Sequence, residues 1–209
     1  MTRNTKRPAV KGRSRNSKQQ SPAKGKKSTI DINQLTQQAT VQPERKVYEA
    51  ERTFDELPLD SRLLKAISKK GFSKPTEIQD KTLESLLQGR DLMGVAQTGT
   101  GKTGAFLIPL INRLLSGKEK FRVLVLAPTR ELAVQIDEEF KSLTGGLNLY
   151  SQCYIGGTNI NRDLQKLRRN SHVVIGTPGR LLDLNERKAI KFSDFDVLIL
   201  DEFDRMLDM

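Results

Sequence analysis

Apolar residues beyond Thr53 recur in two rhythms. Leu63, Leu64 and Ile67 share one face at helical spacing, and Leu83, Leu86 and Leu87 repeat the pattern after a start at Pro75–Thr76. Short apolar runs then alternate with further helical stretches. Leu92–Val95 is expected as a strand, followed by a glycine-rich turn and a helix through Phe106, Leu110 and Leu114. Val123–Ala127 predicts a strand, and Leu132, Ile136, Phe140 and Leu143 the helix after it. Tyr150–Ile155 reads as a strand, Leu164 and Leu167 as a short helix, and Val173–Ile175 as a strand. Thr177 then stands as an N-cap with Pro178 at the first helical position, and Val197–Leu200 is the last strand. The strands are rich in Val, Ile and Leu, and helices separate them. That pattern implies an α/β fold with a parallel sheet covered by helices on both faces.

Before Thr53 there is no such rhythm. Residues 1–27 hold ten Lys and Arg and no Asp or Glu. Taking those ten from the 36 Lys and Arg leaves 26, against 25 Asp and Glu in the whole chain. The net charge of +11 therefore belongs to a tail, and the remainder is nearly neutral. Residues 1–51 bury too little to fold and are expected to be a disordered basic tail. Two roles fit it equally: salt-sensitive attraction to nucleic acid, or a solubilising or localising segment.

Several classes are disfavoured. The single cysteine, Cys153, cannot form an internal disulfide, and it sits mid-strand as a small apolar residue. No apolar run approaches the ~20 residues of a membrane helix, and no apolar stretch follows the basic N-terminus. A cytoplasmic protein without a membrane partner is expected. His172 precedes a strand with no evident catalytic partner, and no Cys/His cluster points to zinc.

Candidate chemistry begins at Ala96-Gln97-Thr98-Gly99-Thr100-Gly101-Lys102-Thr103, between a predicted strand and a predicted helix. This is the setting of a phosphate-binding loop. Glycines at 99 and 101 let backbone N–H groups turn toward anionic oxygens, and the helix N-terminus behind them favours negative charge. Lys102 supplies a full positive charge to the β and γ phosphates, and Thr103 a hydroxyl to Mg²⁺. Ala96 stands where the usual pattern opens with glycine. About a hundred residues later, the apolar run Val197–Leu200 ends in Asp201-Glu202. A strand buried on both faces delivers its C-terminal residues to the edge where ligands bind. Asp201 is expected to hold Mg²⁺ through its water shell, and Glu202 to orient and deprotonate the attacking water.

With these two elements in place, the chain resembles the DEAD-box RNA helicases. Gly71-Phe72 followed by Pro75-Thr76-Glu77-Ile78-Gln79 is similar to that family's adenine-reading Q motif, with an isolated aromatic, Phe54, upstream. Ala127-Pro128-Thr129-Arg130-Glu131-Leu132-Ala133 resembles motif Ia. Gly156-Gly157 and Thr177-Pro178-Gly179-Arg180 resemble the next two elements, and Asp201-Glu202-Phe203-Asp204 takes the place of the naming motif. The likeness runs in order from Phe54 to the end. It implies a Q-motif region at 52–80 and a RecA-like ATP-binding domain at 81–209.

The resemblance also implies roles. ATP and Mg²⁺ would be the cofactors, with Gln79 hydrogen-bonding adenine and Phe54 stacking on it. Pro128, Thr129, Arg130, Gly157, Thr177, Pro178, Gly179 and Arg180 would lie along an RNA backbone. There is no Trp, and the few aromatics occupy mostly apolar positions, so binding without sequence specificity is expected. For Arg130 and Arg180 a competing reading is pairing inside the domain, for example with Glu131 or Asp183.

Two departures from the family pattern stand out. Phe203 replaces an alanine and is expected to be absorbed by local packing. The family also has a Ser-Ala-Thr strand and a second RecA-like domain, which supplies further arginines to the ATP site. These do not occur within the 209 residues, so the sheet is expected to lack a strand. The parent activity implied is RNA-stimulated ATP hydrolysis and remodelling of RNA. As an isolated fragment, the chain is alternatively an ATP-binding module without helicase activity.

Overall fold

A computed structural model describes residues 48–117 and 122–208. The tail expected at 1–51 lies outside the described residues except for 48–51. Tyr48 and Ala50 among them do not behave as a tail. Ala50 is buried, Tyr48 donates a hydrogen bond to the Asp80 carboxylate, and Arg52 donates to the same group at 2.7 Å. The packed unit therefore begins before Thr53.

Among the described residues four parallel strands form the sheet: β1 Val123–Leu126, β2 Ser151–Tyr154, β3 Val173–Gly176 and β4 Val197–Leu200. They lie in the order β2-β3-β1-β4. Val123 pairs with both Val173 and Val197, so the three C-terminal ends finish level. Each crossover is a helix, as parallel pairing requires. The helices are α1 Ser61–Lys69, α2 Glu77–Leu87, α3 Lys102–Ser116, α4 Arg130–Thr144, α5 Ile160–Lys166, α6 Pro178–Glu186 and α7 Phe203–Leu207.

The period-two alternation of strand side chains divides the core. Val123, Val125, Val173 and Ile175 face one layer with Leu63, Leu83, Leu107, Ile136 and Phe140. Leu124, Val174 and Tyr154 face the other, with Leu181, Leu184 and Ile190. Both central strands are buried on both sides, which is why their sequences carry continuous apolar runs instead of alternation.

One predicted strand does not form. Leu92–Val95 is not hydrogen-bonded into the sheet, and Met93 and Val95 are 84% and 96% exposed. A strand needs a neighbour for its backbone groups, however apolar its side chains. A cavity of about 640 Å³, lined by both segments, lies between Leu92–Gly94 and β4. Leu198 and Leu200 of β4 are exposed along it, so β4 is an open edge.

Candidate active site

The phosphate-loop residues Ala96–Gly101 arrive from that unpaired segment and enter α3 at Lys102. Gly99 and Gly101 both adopt left-handed backbone, at φ 80 and 93. Gly101 has a second constraint. A Cβ there would come within 2.8 Å of both Gln79 Nε2 and Thr76 Oγ1. Only glycine allows the loop and the N-terminus of α2 to approach this closely. Thr100 Oγ1 donates to the Gln97 carbonyl at 2.7 Å, closing the turn. Lys102 is half-buried and shares the cavity with Asp201.

Asp201 follows β4 directly and donates its backbone N–H to the Leu126 carbonyl at 3.0 Å. Its side chain is buried. Burial pushes its carboxyl above the ordinary aspartate range; the Lys102 charge opposes this and the Glu202 charge adds to it. Glu202 adopts left-handed backbone at φ 50, ψ 45, a conformation that costs a non-glycine residue about 1–2 kcal/mol. Strain of this kind persists where the surroundings over-determine it, commonly at functional positions. Arg205 Nη1 donates to Glu202 Oε2 at 2.7 Å and fixes the carboxylate. Arg205 escaped the sequence reading, although its three-residue spacing from Glu202 on a short helix was a usable signal. Phe203 is not absorbed by packing. It is exposed at the first position of α7 and lines the cavity beside Lys102 and Asp201.

The raised Asp201 carboxyl has a signed consequence. The folded state holds that proton more tightly than the unfolded chain. Stability therefore falls as pH rises from the usual aspartate value, about 3.9, through the raised folded value. Asp201→Asn, a neutral isostere, is expected to raise the melting temperature of the ligand-free protein at neutral pH. Thermal denaturation at acid and neutral pH measures this, and a lower melting temperature at neutral pH would contradict it.

Gln79 is buried at the third position of α2 and bridges two elements. Its Oε1 accepts from the Thr76 N–H at 3.0 Å and its Nε2 donates to the Gly101 carbonyl at 3.1 Å. The partners fix the amide orientation, since one can only donate and the other only accept. One N–H and one lone pair remain for another group. Phe54 requires a correction. Its ring is 3% exposed and sits in the main core cluster, so it has no face to offer a base. Its backbone N–H instead donates to the Ser73 carbonyl at 3.0 Å. It thereby anchors the loop carrying Phe72, which is 46% exposed with Lys70 Nζ 5.6 Å from its ring centre. The sequence reading gave Phe72 no role, because exposure is not visible in a residue type.

A second cleft, about 490 Å³, opens beyond β1 and β3. Pro128, Thr129, Arg130, Glu131, Gly156, Thr177, Pro178, Gly179 and Arg180 line it. It joins the N-termini of α4 and α6, two helix ends that favour anions. Thr129 caps α4 by accepting the Leu132 N–H at 3.2 Å. Thr177 is the N-cap of α6 with Pro178 at its first position, and its side chain makes no cap bond. The Arg130 guanidinium lies on the Gly156–Gly157 turn. A Cβ on Gly157, which has φ 78, would overlap it. Neither arginine has the partner named from sequence. No carboxylate among the described residues pairs with Arg130, while Asp183 pairs with Arg187 at 2.6 Å. Arg180 turns inward to Asp163.

Cys153 is half-buried, and burial pushes its thiol up to about 11. His172 Nδ1 accepts the Tyr150 N–H at 3.2 Å, an architectural contact. No described helix is long and apolar enough to cross a membrane.

The "DEAD/DEAH box helicase" family model matches residues 76–209. The chain is 42% identical over 156 residues to the ATP-dependent RNA helicase CshA of Listeria monocytogenes, covering 75% of this chain and 30% of that protein. It is 44% identical over 162 residues to the ATP-dependent rRNA helicase RRP3 of Saccharomyces cerevisiae, covering 77% and 32%. The chain thus spans about a third of the length of these relatives. The crystal structure of a DEAD box protein from Methanococcus jannaschii is similar at 41% identity and TM-score 0.69, over 75% of this chain and 43% of that one. A hypothetical ATP-dependent RNA helicase from Sulfolobus tokodaii has 34% identity and TM-score 0.66, over 72% and 44%. A RecA-like α/β domain in which Lys102 and Asp201 share one cavity, matched by the family model over residues 76–209, places this chain in the DEAD/DEAH box helicase family.

Proposed function

We propose that this chain is the ATP-binding domain of a cytoplasmic, ATP-dependent RNA helicase that remodels RNA duplexes or RNA–protein complexes. The observation carrying the reading is the shared cavity of Lys102 and Asp201 at the end of the phosphate loop. Of the loop and the acidic pair it takes in Lys102 and Asp201, opposite charges that suit a magnesium nucleotide. The loop is cradled by glycines, with a cation at the helix start. Opposite stands a buried carboxylate whose charged form is disfavoured until a cation compensates it.

ATP with Mg²⁺, when bound, supplies the phosphoanhydride bond and neutralises phosphate charge. The chain's own residues do the rest. Backbone N–H groups of Gln97–Thr103 bind the phosphates, and Lys102 holds the β and γ oxygens. Thr103 and Asp201 would hold Mg²⁺. Glu202 accepts the proton of the attacking water. Gln79 reads the adenine edge with its remaining donor and acceptor. The exposed ring of Phe72, not Phe54, offers the stacking face. A second RecA-like domain, outside this chain, completes the site with arginines.

The cleft at Thr129, Arg130, Gly157 and Thr177–Gly179 binds RNA through its backbone. Helix ends and an arginine suit phosphates, and no aromatic side chain lines the cleft for a base to stack on, which supports binding without sequence preference. The decisive measurement is ATP hydrolysis by the full-length protein with and without single-stranded RNA. Turnover that rises with RNA of unrelated sequences supports the reading; turnover indifferent to RNA overturns it.

A further inference from the structure

Arg180 lines the proposed RNA cleft, yet its hydrogen bonds go inward. Its side chain is 9% exposed and that of Asp163 is 2% exposed. Arg180 Nη1 donates to Asp163 Oδ2 and, at 3.2 Å, to Thr158 Oγ1; Nη2 donates to the Thr158 carbonyl at 2.8 Å. Lys166 Nζ lies 3.9 Å from the other Asp163 oxygen. Thr158 Oγ1 lies 2.9 Å from the Ile155 carbonyl and 3.3 Å from Asp163 Oδ2, so the turn is closed from within as well. These contacts join α5, the turn after β2 and the first turn of α6. The turn after β2, at Gly156–Gly157, is the floor on which the Arg130 guanidinium rests.

We infer that Asp163 is a positioning residue for RNA binding, acting through Arg180 and the Gly156–Thr158 turn. The inference rests on the RNA reading of the cleft. Asp163 holds Arg180 inward. Arg180 in turn fixes the Thr158 carbonyl against the N-terminus of α6. The relative placement of that helix end, Gly157 and Arg130 is thereby set before RNA arrives. Such preorganisation removes ordering cost from binding. Arg180 itself touches no phosphate. A lysine there would lose the two-pronged geometry that holds carboxylate and carbonyl together.

The test is a double-mutant cycle in the full-length protein. Wild type, Asp163→Asn, Arg180→Gln and the double variant are titrated with a fluorescein-labelled oligouridylate. ATP affinity and melting temperature are followed in parallel. The expected result is a loss of RNA affinity of about tenfold in each single variant and no further loss in the double, because the residues act as one unit. ATP affinity stays unchanged, which a general loss of structure would not allow. Two results would overturn the inference: Asp163→Asn binding RNA as tightly as wild type or tighter while Arg180→Gln binds weakly, or additive losses. If Asp163→Asn does not fold, Asp163→Leu with Arg180→Met leaves no buried charge and stands in for it. Weakened RNA binding there supports the inference, and wild-type binding refutes it. Failure of the parent reading looks different: wild type itself, and not only the variants, would show no RNA binding.

Discussion

Glu202→Gln is expected to lower RNA-stimulated ATP hydrolysis by about 10²- to 10⁴-fold in the full-length protein while ATP still binds. The change removes the proton acceptor and keeps the shape. Glu202 is set for this task by two features. Its backbone is held in left-handed geometry one residue beyond Asp201, at the start of α7. Arg205 then fixes its carboxylate from one turn along α7. A glutamine retains an oxygen for the Arg205 contact, so the loss is chemical and not structural. Steady-state turnover and titration with a fluorescent nucleotide separate the two. Undiminished turnover would remove Glu202 from the mechanism.

Lys102→Ala is the second large effect, and it strikes both binding and turnover. One preorganised charge at the reacting phosphate is worth about 10²- to 10³-fold in rate. The structure adds a second consequence. Lys102 is the cation opposing the burial that raises the Asp201 carboxyl. Without it, the ionised carboxylate is less compensated, so Lys102→Ala is also expected to lower the melting temperature at neutral pH. Adding Asp201→Asn should recover that melting temperature without recovering ATP binding. Recovery of both, or of neither, would show that the two groups do not share one electrostatic site.

The two sites differ in how far residue types alone reveal them. The loop runs into α3 and Asp201-Glu202 follows β4, so both are contiguous motifs at element ends, which apolar periodicity marks. Helix starts were legible for the same reason: Thr76 and Thr177 both precede the helices they begin. The second cleft was less legible. Arg130 and Arg180 are the same residue type in similar motifs, yet one rests on a glycine turn facing the cleft and the other is drawn inward. The difference comes from Asp163, which is 17 residues away in sequence. No local spacing encodes that contact. Phe54 and Phe72 pose the same problem, since burial decides which ring can stack and neither residue type reports burial.

By itself, then, the sequence determined the α/β class, the order of most elements, and where the Gly-Lys-Thr turn and the Asp-Glu pair fall among them. These depend on local periodicity and on backbone freedom at particular glycines. Only the tertiary structure decided which candidate side chains face a ligand. It showed Leu92–Val95, apolar enough for a strand, unpaired beside the open edge of β4. It buried Phe54, exposed Phe203 and turned Arg180 inward. The physical reason is common to all four: pairing and burial belong to neighbours distant in the chain, and a residue's own chemistry does not say who they are.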